Sequence, residues 1–446
     1  MRPVELLEVL EARERRAKRQ RELLEVYGCP LVCFTMNIAG PVKNTEEIAW
    51  GFQYGSRLLL RQLDRVKAKL LHWESISEAT GNEAFFAVDL EPSRLKALTV
   101  ELEEQTALGR LFDLDVLSID GSKLERQTER SCIICGLPGK ACARSRAHSV
   151  SELQHRTNEI LKQAQKKWIL QTASEVAVRA LLFEACTTPK PGLVDRDNSG
   201  SHTDMDLFTF MSSSAALHPY YEKCVRIGIE TANELPEKTF ADLRWPGKEA
   251  ELRMLDVTNG VNTHKGAIFT LGVLCAALGR LGLRAWSKPS VVLQECAAMT
   301  KGVSTELSKS EYNETAGGRL YHEFGVMGVR GQMEAGLPAV LLYGLPAMDR
   351  LLADGASLEQ AGSVALLTMI PQLQDTNMLK RGGIQTQQWA NRLVEQILLE
   401  GNVTTEQLRE LDAAFIQRNL SPGGAADLLA VCYLFYFLRK EVFWEL

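Results

Sequence analysis

The sequence lacks any run of apolar residues long enough to span a bilayer, since the longest, residues 428–438, is too short. Its first twenty residues carry charges throughout and contain no apolar signal region, so we expect a cytoplasmic protein. The ten cysteines form no dense framework, which is typical of a reducing compartment. A net charge of −5 argues against a general nucleic-acid binder but leaves room for local basic pockets that hold a small phosphorylated ligand.

The composition is that of a globular protein, with 45% hydrophobic and 24% charged residues. A chain of 446 residues is too long for one ordinary core, so two domains are expected. The polar stretch Ser151–Lys167 contains no glycine or proline and indicates a helical connector. We therefore predict an α+β domain over residues 1–165 and an all-α domain over residues 166–446.

In the first domain, helical and strand-like segments alternate, which favours an α+β fold. The predicted helices cover residues 5–26, 50–69 and 93–104, and the predicted strands cover residues 29–38, 84–88 and 111–119. The basic middle of the first helix, Arg13–Arg21, is interpreted as a solvated face or as a docking surface for an acidic partner.

The second domain contains helical patterns and no convincing strand. The predicted helices cover residues 169–186, 207–217, 266–281, 289–307, 357–368, 387–399, 405–417 and 425–439. Polar loops with glycine connect them, and no repeat occurs at the periods of solenoid proteins.

A pair of aspartates lies on the last predicted strand of the first domain. Because alternate side chains of a strand share a face, Asp113 and Asp115 are expected to point the same way. Two carboxylates at this spacing suit one or two Mg²⁺ ions, as phosphoryl and nucleotidyl transfer requires. The alternative is an edge strand with two exposed acids. Glu83 is the candidate for a third carboxylate.

Three cysteines and a histidine follow this strand. Cys132, Cys135, Cys142 and His148 have the ligand types and the Cys-x2-Cys half-site of a tetrahedral zinc centre. The alternative is a set of free cysteines in a basic loop above the active site. Basic and polar side chains in this domain also suit phosphate binding; the candidates are Asn37, Lys43, Arg110, Arg130, Lys140, Arg144 and Arg146.

In the second domain the loop Thr187–Asp206 contains more charged side chains than a connection between two helices needs. Lys190 lies between two prolines, and Gly192 and Gly200 permit turns whose N–H groups bind anions. Asp204 and Asp206 precede a helix, where acids commonly serve as N-caps. Further acidic and basic side chains in the same loop, Asp195, Asp197 and His202, favour a metal or catalytic site over capping alone.

Four other polar segments have the same character. One opens a helix, where free N–H groups bind phosphate, although it is not a Walker A motif. Together the segments predict a phosphate-rich ligand bound with Mg²⁺; their candidate residues are His264, Lys265, Arg330, Asp375, Arg381, Gly423 and Gly424.

The first-domain segments CPLVCFTMNIAGPVKN, TGNEAFFAV, LGRLFDLDV and RSCIICGLPGKACARSRAHS resemble the apo-citrate lyase phosphoribosyl-dephospho-CoA transferase family. The resemblance implies a nucleotidyltransferase-like enzyme. It would attach the phosphoribosyl-dephospho-CoA group to a serine of the acyl carrier (gamma) subunit of citrate lyase and release diphosphate. Asp113 and Asp115 would then hold the metal while the serine attacks the α-phosphorus in line.

The second-domain segments TTPKPGLVDR, SGSHTDMD, GVNTHKGAIF, DTN, RGG and SPGGAADLL resemble the triphosphoribosyl-dephospho-CoA synthase family. The resemblance implies that ATP and 3′-dephospho-CoA are joined and adenine is released. The metal candidates are then Asp204, Asp206 and Asp375, and the candidate base is Asp195 or His202. The alternatives are an ADP-ribosyl hydrolase-like domain fused to a nucleotidyltransferase of other substrate, and a nucleotide sensor without turnover.

Overall fold

The computed structural model describes residues 2–308 and 316–442. The chain divides into two compact units between Trp168 and Ile169. This division lies within the long helix Val150–Cys186, as does the predicted domain boundary after Gln165, which stays a prediction. No helix in the described residues combines the length and the apolar character that crossing a membrane needs.

The first unit contains a four-stranded antiparallel sheet in the order β2-β3-β1-β4. The strands are β1 Leu31–Met36, β2 Lys69–Glu78, β3 Gly81–Asp89 and β4 Phe112–Leu117. The helices are α1 Leu6–Tyr27, α2 Glu46–Arg65, α3 Pro92–Glu104 and α4 Gly139–Ser145. An α+β first unit is therefore confirmed, whereas a nucleotidyltransferase-like fold stays a prediction.

Strand β2 was not predicted, and the helix predicted to reach Lys69 ends at Arg65. β2 is an edge strand that pairs with β3 alone, and most of its side chains are exposed or half-buried. Such a strand has little of the apolar alternation by which a strand is recognised in sequence.

Helices cover both faces of the sheet. On one face Phe34 of β1 stacks on Phe52 of α2 with ring centroids 4.8 Å apart. Gly55 permits this close approach, because a Cβ there would lie 2.6 Å from the ring of Phe34. On the other face Leu24 of α1 packs in a buried cluster with Cys33 of β1.

The second unit contains helices joined by loops and no strand among its described residues, as predicted. After α5 Val150–Cys186, its helices are α6 Leu207–Ala216, α7 His218–Glu230, α8 Pro236–Val257, α9 Lys265–Leu281, α10 Leu283–Trp286, α11 Pro289–Met299, α12 Ala316–Phe324, α13 Gly328–Glu334, α14 Leu345–Ala353, α15 Leu358–Met369, α16 Thr376–Leu399, α17 Thr405–Gln417 and α18 Gly423–Val442. Helices α7, α8, α10, α12, α13 and α14 were not predicted. Helix α8 contains an internal proline, Pro246, which weakens its helical signal.

Helices α9 and α18 form the centre of this unit. Residues of α9 are buried on all its sides from Ala267 to Gly279, apart from Phe269, which is only partly buried. Such a helix belongs in a core. Gly279 lets α7 approach closely, since a Cβ there would lie 2.3 Å from the carbonyl oxygen of Val225. The apolar run 428–438 of α18 is buried in the same way, apart from the half-buried residue 436. These two helices therefore hold their N-terminal ends in fixed positions.

Candidate active sites

Asp113 and Asp115 lie on one face of β4 at the edge of a cavity of about 1160 Å³ in the first unit. Their side chains are 46% and 29% exposed, whereas Phe112, Leu114 and Val116, which alternate with them along the strand, are buried. The predicted alternation along this strand is therefore confirmed. Both carboxylates face a space in which a ligand can reach them.

Cationic side chains surround the two aspartates. Lys123 Nζ lies 2.6 Å from Asp115 Oδ2, and Arg130 Nη1 lies 4.0 Å from Asp113 Oδ1. Beneath them Lys96 donates a hydrogen bond to the carbonyl oxygen of Leu114, and burial lowers the pKa of Lys96. The site therefore combines two acids with the positive charge that a polyphosphate requires.

Glu103 of α3, which sequence reasoning missed, positions two of the arginines. Its side chain is 2% exposed, forms an ion pair with Arg130 and lies 3.5 Å from Arg126. It also accepts a hydrogen bond of 2.8 Å from the backbone N–H of Leu114. No local pattern in α3 distinguishes this buried acid from the exposed glutamates beside it.

The other predicted anion contacts divide into two groups. Asn37, Arg110, Arg130, Lys140 and Arg146 line the cavity. Lys43 and Arg144 do not. Lys43 Nζ donates to the carbonyl oxygen of Ile38 at 2.6 Å, and Arg144 is exposed on α4.

Glu83 is separated from the aspartate pair by strand β1. Thr35 of β1 lies opposite Glu83 on one side and opposite Asp113 on the other, so the two acids are two strand spacings apart, roughly 10 Å. Glu83 pairs instead with Arg16 of α1 at 2.9 Å. The structure therefore does not bring this candidate third carboxylate to Asp113.

The basic face of α1 is paired within its own unit. Arg15 contacts Glu78 at 2.7 Å, and Arg19 contacts Glu74 at 2.6 Å, in addition to the pair that Arg16 forms. These acids offset much of the charge that suggested a docking surface, and docking there stays a prediction.

The cysteine and histidine candidates converge. Potential ligand atoms of Cys132, Cys135, Cys142 and His148 all lie within 4.8 Å of one another. The three sulfurs are free thiols, and the group lies beside the cavity that contains Asp113.

The second unit contains a cavity of about 590 Å³ at the N-terminal ends of three long helices. Lys265 of α9, Thr376 of α16 and Gly423 of α18 are the first residues of these helices, and all three line the cavity. The N-terminal end of a helix carries partial positive charge and unpaired N–H groups, so this cavity suits an anionic ligand.

The loop Thr187–Asp206 contributes one side of this cavity through Lys190 and His202. Lys190 is buried and pairs with Glu184 of α5 at 2.5 Å. His202 Nε2 lies 2.8 Å from Ser421 Oγ, and Arg381 Nη2 donates to its Nδ1 at 3.2 Å. Burial and the nearby Arg381 lower the pKa of His202, which favours the neutral ring.

Asp427 of α18 is a cavity residue that received no role from the sequence. It lies against the first turn of α9, where a Cβ on Gly266 would be 1.8 Å from its carboxylate. Burial and the neighbouring acids Glu184 and Asp375 raise the pKa of Asp427 well above its usual value. The sequence did contain a pattern that could have identified Asp427. It follows Gly423 by four residues, about one helical turn, so the two residues lie on the same side of α18.

His264, the residue before α9, also faces the cavity with a neutral ring. Its Nδ1 lies 2.7 Å from Ser213 Oγ, and burial lowers the pKa of His264 to about 3. Its Nε2 is buried and has no hydrogen-bond partner among the described residues. The Lys265 ammonium, in contrast, is exposed and pairs with Glu251 at 2.7 Å.

Asp195 is buried within its loop and is not a lining residue of the cavity. It accepts hydrogen bonds from the backbone N–H groups of Lys190 (2.9 Å), Asp197 (2.7 Å) and Asn198 (3.0 Å). These contacts shape the loop, and a role for Asp195 as a base stays a prediction. Asp412, which was not predicted, fixes the same loop by accepting from the N–H of Gly192 at 2.8 Å.

The three predicted metal ligands are not brought to one place. Asp375 lines the cavity, but Asp204 and Asp206 border a separate surface hollow of about 350 Å³. Asp206 caps α6 by accepting a hydrogen bond from the N–H of Thr209, so it has the N-cap role that the sequence offered as the alternative to metal binding. Arg330 also lies outside the lining, with Nη1 3.6 Å from Glu306.

Both units match known families. Residues 4–164 match CitX, the apo-citrate lyase phosphoribosyl-dephospho-CoA transferase family. Residues 170–445 match CitG, the ATP:dephospho-CoA triphosphoribosyl transferase family.

Three relatives extend this result. The chain is 34% identical to "Protein CitXG" of Haemophilus influenzae, over 98% of this chain and 97% of the relative. It is 34% identical to "Protein CitXG" of Leuconostoc mesenteroides subsp. cremoris, over 95% of each. It is 39% identical to the 2-(5''-triphosphoribosyl)-3'-dephosphocoenzyme-A synthase of Haemophilus ducreyi, over 68% of this chain and 99% of the relative. The ADP-ribosyl hydrolase alternative finds no support in these similarities. The chain therefore belongs to the CitXG-type family, in which a CitX and a CitG domain are fused into a bifunctional transferase of citrate lyase prosthetic-group biosynthesis.

Proposed function

We propose that the helical unit joins ATP to 3′-dephospho-CoA, forms 2′-(5″-triphosphoribosyl)-3′-dephospho-CoA and releases adenine. The observation that carries this proposal is the convergence of three helix N-terminal ends on the cavity that also holds Glu184 and Asp427. The helix ends suit a triphosphate that is retained, and the carboxylates suit the sugar carbon at which adenine departs.

The reaction breaks the bond between adenine and ribose, and positive charge develops on the sugar carbon. Burial and the neighbouring acids raise the pKa of Asp427, which favours its protonated form, so we assign it the proton that the departing adenine needs. Neutral His202 would accept the proton of the attacking 2′-hydroxyl of dephospho-CoA at Nδ1, in place of the hydrogen bond that Arg381 donates to this atom. Burial raises the pKa of Glu184, and its ion pair with Lys190 at 2.5 Å offsets part of that effect, so the pair places a carboxyl group beside the sugar.

A divalent ion on the triphosphate fits the donors of this unit. Carboxylate oxygens are the ligands that Mg²⁺ prefers, and Asp427 is not counted among them because its protonated form is the proposed acid. Asp204, 61% exposed and 3.8 Å from His202, is the predicted ligand that we retain for this ion. Asp375 is engaged by backbone N–H groups, and Asp206 is engaged as a helix cap.

Adenine release tests these roles. With ATP and dephospho-CoA as substrates, Asp427→Asn and His202→Gln are each expected to slow adenine release at least about 100-fold, as for a lost general acid or base. The matched control is Asp354→Asn, which changes an exposed acid on the same unit. Substantial adenine release by Asp427→Asn would remove the proposed acid, and no adenine from the unchanged protein would overturn the function itself.

We propose that the sheet-containing unit then transfers the phosphoribosyl-dephospho-CoA group to a serine of the citrate lyase acyl carrier subunit and releases diphosphate. The paired carboxylates Asp113 and Asp115 fit Mg²⁺ by their chemistry and by their common face on β4. The ion would neutralise the triphosphate, while Arg110, Arg130 and Arg146 contact its oxygens.

The two activities can be tested in one preparation. Asp113→Asn is expected to slow transfer of labelled prosthetic group from supplied intermediate to apo acyl carrier protein at least about 100-fold. Its adenine release should equal that of the unchanged protein. Asp64→Asn, an exposed aspartate of the same unit, is the control. Full transfer by Asp113→Asn would contradict the two-carboxylate mechanism.

A further inference from the structure

A long segment beside the transferase cavity has no apolar core of its own. Residues 118–156 are all described, and none of them is buried. Yet Arg126, Arg130 and Arg146 of this segment line the cavity that contains Asp113. Burial of apolar side chains normally orders a segment of this length, and small cores without it depend on disulfides or metals.

The same segment brings four soft donors together. The sulfurs of Cys132, Cys135 and Cys142 and a ring nitrogen of His148 lie within 4.8 Å of one another. In a tetrahedral zinc site the metal–sulfur bonds are about 2.3 Å, so the ligand atoms are expected roughly 4 Å apart. The observed group therefore has the dimensions of such a site before any rearrangement.

The backbone around the first two cysteines has the form of a metal-binding turn. Gly136 N–H donates to the carbonyl oxygen of Cys132 at 3.1 Å, and Ile134 N–H points at the sulfur of Cys132 at 3.4 Å. Gly136 has φ +73°, which reverses the chain after the second cysteine. N–H groups directed at a sulfur stabilise a thiolate.

The rest of the segment returns the chain to this turn. Helix α4 carries Cys142, and Arg146 ends it in the left-handed conformation, with φ 50°, so that the chain turns back at His148. The Nε2 atom of His148 is buried and has no hydrogen-bond partner in the described part of the chain. A buried imidazole nitrogen without a partner beside three thiols is an independent indication of a missing ligand.

We propose that Cys132, Cys135, Cys142 and His148 bind one Zn²⁺ ion, and that this ion holds the basic wall of the transferase cavity in place. Three thiolates and one imidazole select zinc over Mg²⁺, which the oxygen donors Asp113 and Asp115 suit. The ion serves structure, because four protein ligands leave no position for substrate. The metal site stands on its own geometry, whereas its effect on transfer rests on the proposed function of this unit.

Metal content is the first test. The full chain, purified without chelator, is expected to contain about one zinc per molecule by mass spectrometry of the metal. Its cobalt-substituted form should show the thiolate charge-transfer bands and the intense visible bands of a tetrahedral site. Cys135→Ser and Cys142→Ser should lower zinc content at least about tenfold, whereas Cys186→Ser, a free and half-buried cysteine outside the group, should not.

The second test uses the other activity of the chain as an internal control. Cys135→Ser, or removal of zinc by a chelator followed by assay with Mg²⁺, is expected to slow transfer to the acyl carrier protein at least about tenfold. Adenine release should not change, which shows that the helical unit is still folded. Restored zinc should restore transfer to the chelated protein.

The results of these tests distinguish the zinc site, its role in the cavity wall and the proposed transferase function. A chain without zinc, with a disulfide among these cysteines, or with full zinc in Cys135→Ser would overturn the metal site. Zinc that can be removed with no effect on transfer would overturn its role in the cavity wall. If the unchanged protein binds zinc but transfers nothing, the metal site stands and the proposed function of the unit fails.

Discussion

Asp375 is expected to be one of the most sensitive positions for the stability of the helical unit. Its buried carboxylate accepts hydrogen bonds from the N–H groups of Asn377 (2.8 Å) and Met378 (3.2 Å) in the first turn of α16. It also accepts from Gly424 (2.7 Å) and Ala425 (3.3 Å) in the first turn of α18. One side chain therefore joins two helix ends at the cavity. Asp375→Ala removes the acceptor for all four.

The cost follows from the number of donors. A buried donor left without a partner costs about 1–3 kcal/mol, so four of them cost at least about 4 kcal/mol. We use the lower end, because burial raises the pKa of Asp375 and so offsets part of the gain from its bonds. A loss of about 4 kcal/mol is a large share of the 5–15 kcal/mol typical of a domain, and it corresponds to a decrease in Tm of roughly 10 °C.

Calorimetry of the full chain measures this change, with Asp354→Ala as the control at an exposed position. A Tm for Asp375→Ala within about 2 °C of the unchanged protein would refute the reasoning. The experiment also tests the earlier prediction that Asp375 is a metal ligand. In that case Mg²⁺ would raise the Tm of the unchanged protein and not that of the variant.

Three further changes test other contacts. Glu103→Ala should slow transfer at least about tenfold while adenine release is unchanged, because Arg126 and Arg130 lose the acid that positions them; equal transfer rates would contradict this. Gly192→Ala should lower the urea midpoint of the helical unit, since φ is +70° and a Cβ would lie 2.2 Å from the carbonyl oxygen of Leu420; an unchanged midpoint would show that the loop relaxes without cost. The pKa of His264 is lowered to about 3, so between pH 6.5 and 3 the folded state binds fewer protons at this residue than the unfolded state does. As the pH falls from 7 to 5, this difference should lower the free energy of unfolding by about 2 kcal/mol. Urea unfolding of His264→Gln should lack this component, and identical pH slopes would refute it.

The sequence determined the local features of both sites. Alternation along β4 predicted that Asp113 and Asp115 share a face, and the structure confirms it, because strand geometry is a property of the local backbone. The spacing of the cysteines and His148 predicted a group that the structure also brings together. Contiguous motifs, which include strands in the first domain and polar loops in the second, were sufficient to indicate both families.

The tertiary structure decided which of the polar residues act together. Asp375 meets Gly424 and Gly192 meets Asp412 across long stretches of chain, and no periodicity encodes such a contact. The same packing places Asp427 of α18 against the first turn of α9. It also separated Asp204 from Asp375, although the sequence offered both as ligands of the same kind.

Burial is the physical reason for this difference. A sequence shows which side chains carry charge, but the pKa and the partners of a group depend on what surrounds it in three dimensions. Glu103 and Glu184 have the residue type of surface acids, yet each is buried against a cation. The sequence therefore identified the types of reactive side chain, and the fold determined which of them lie together and in which ionisation state.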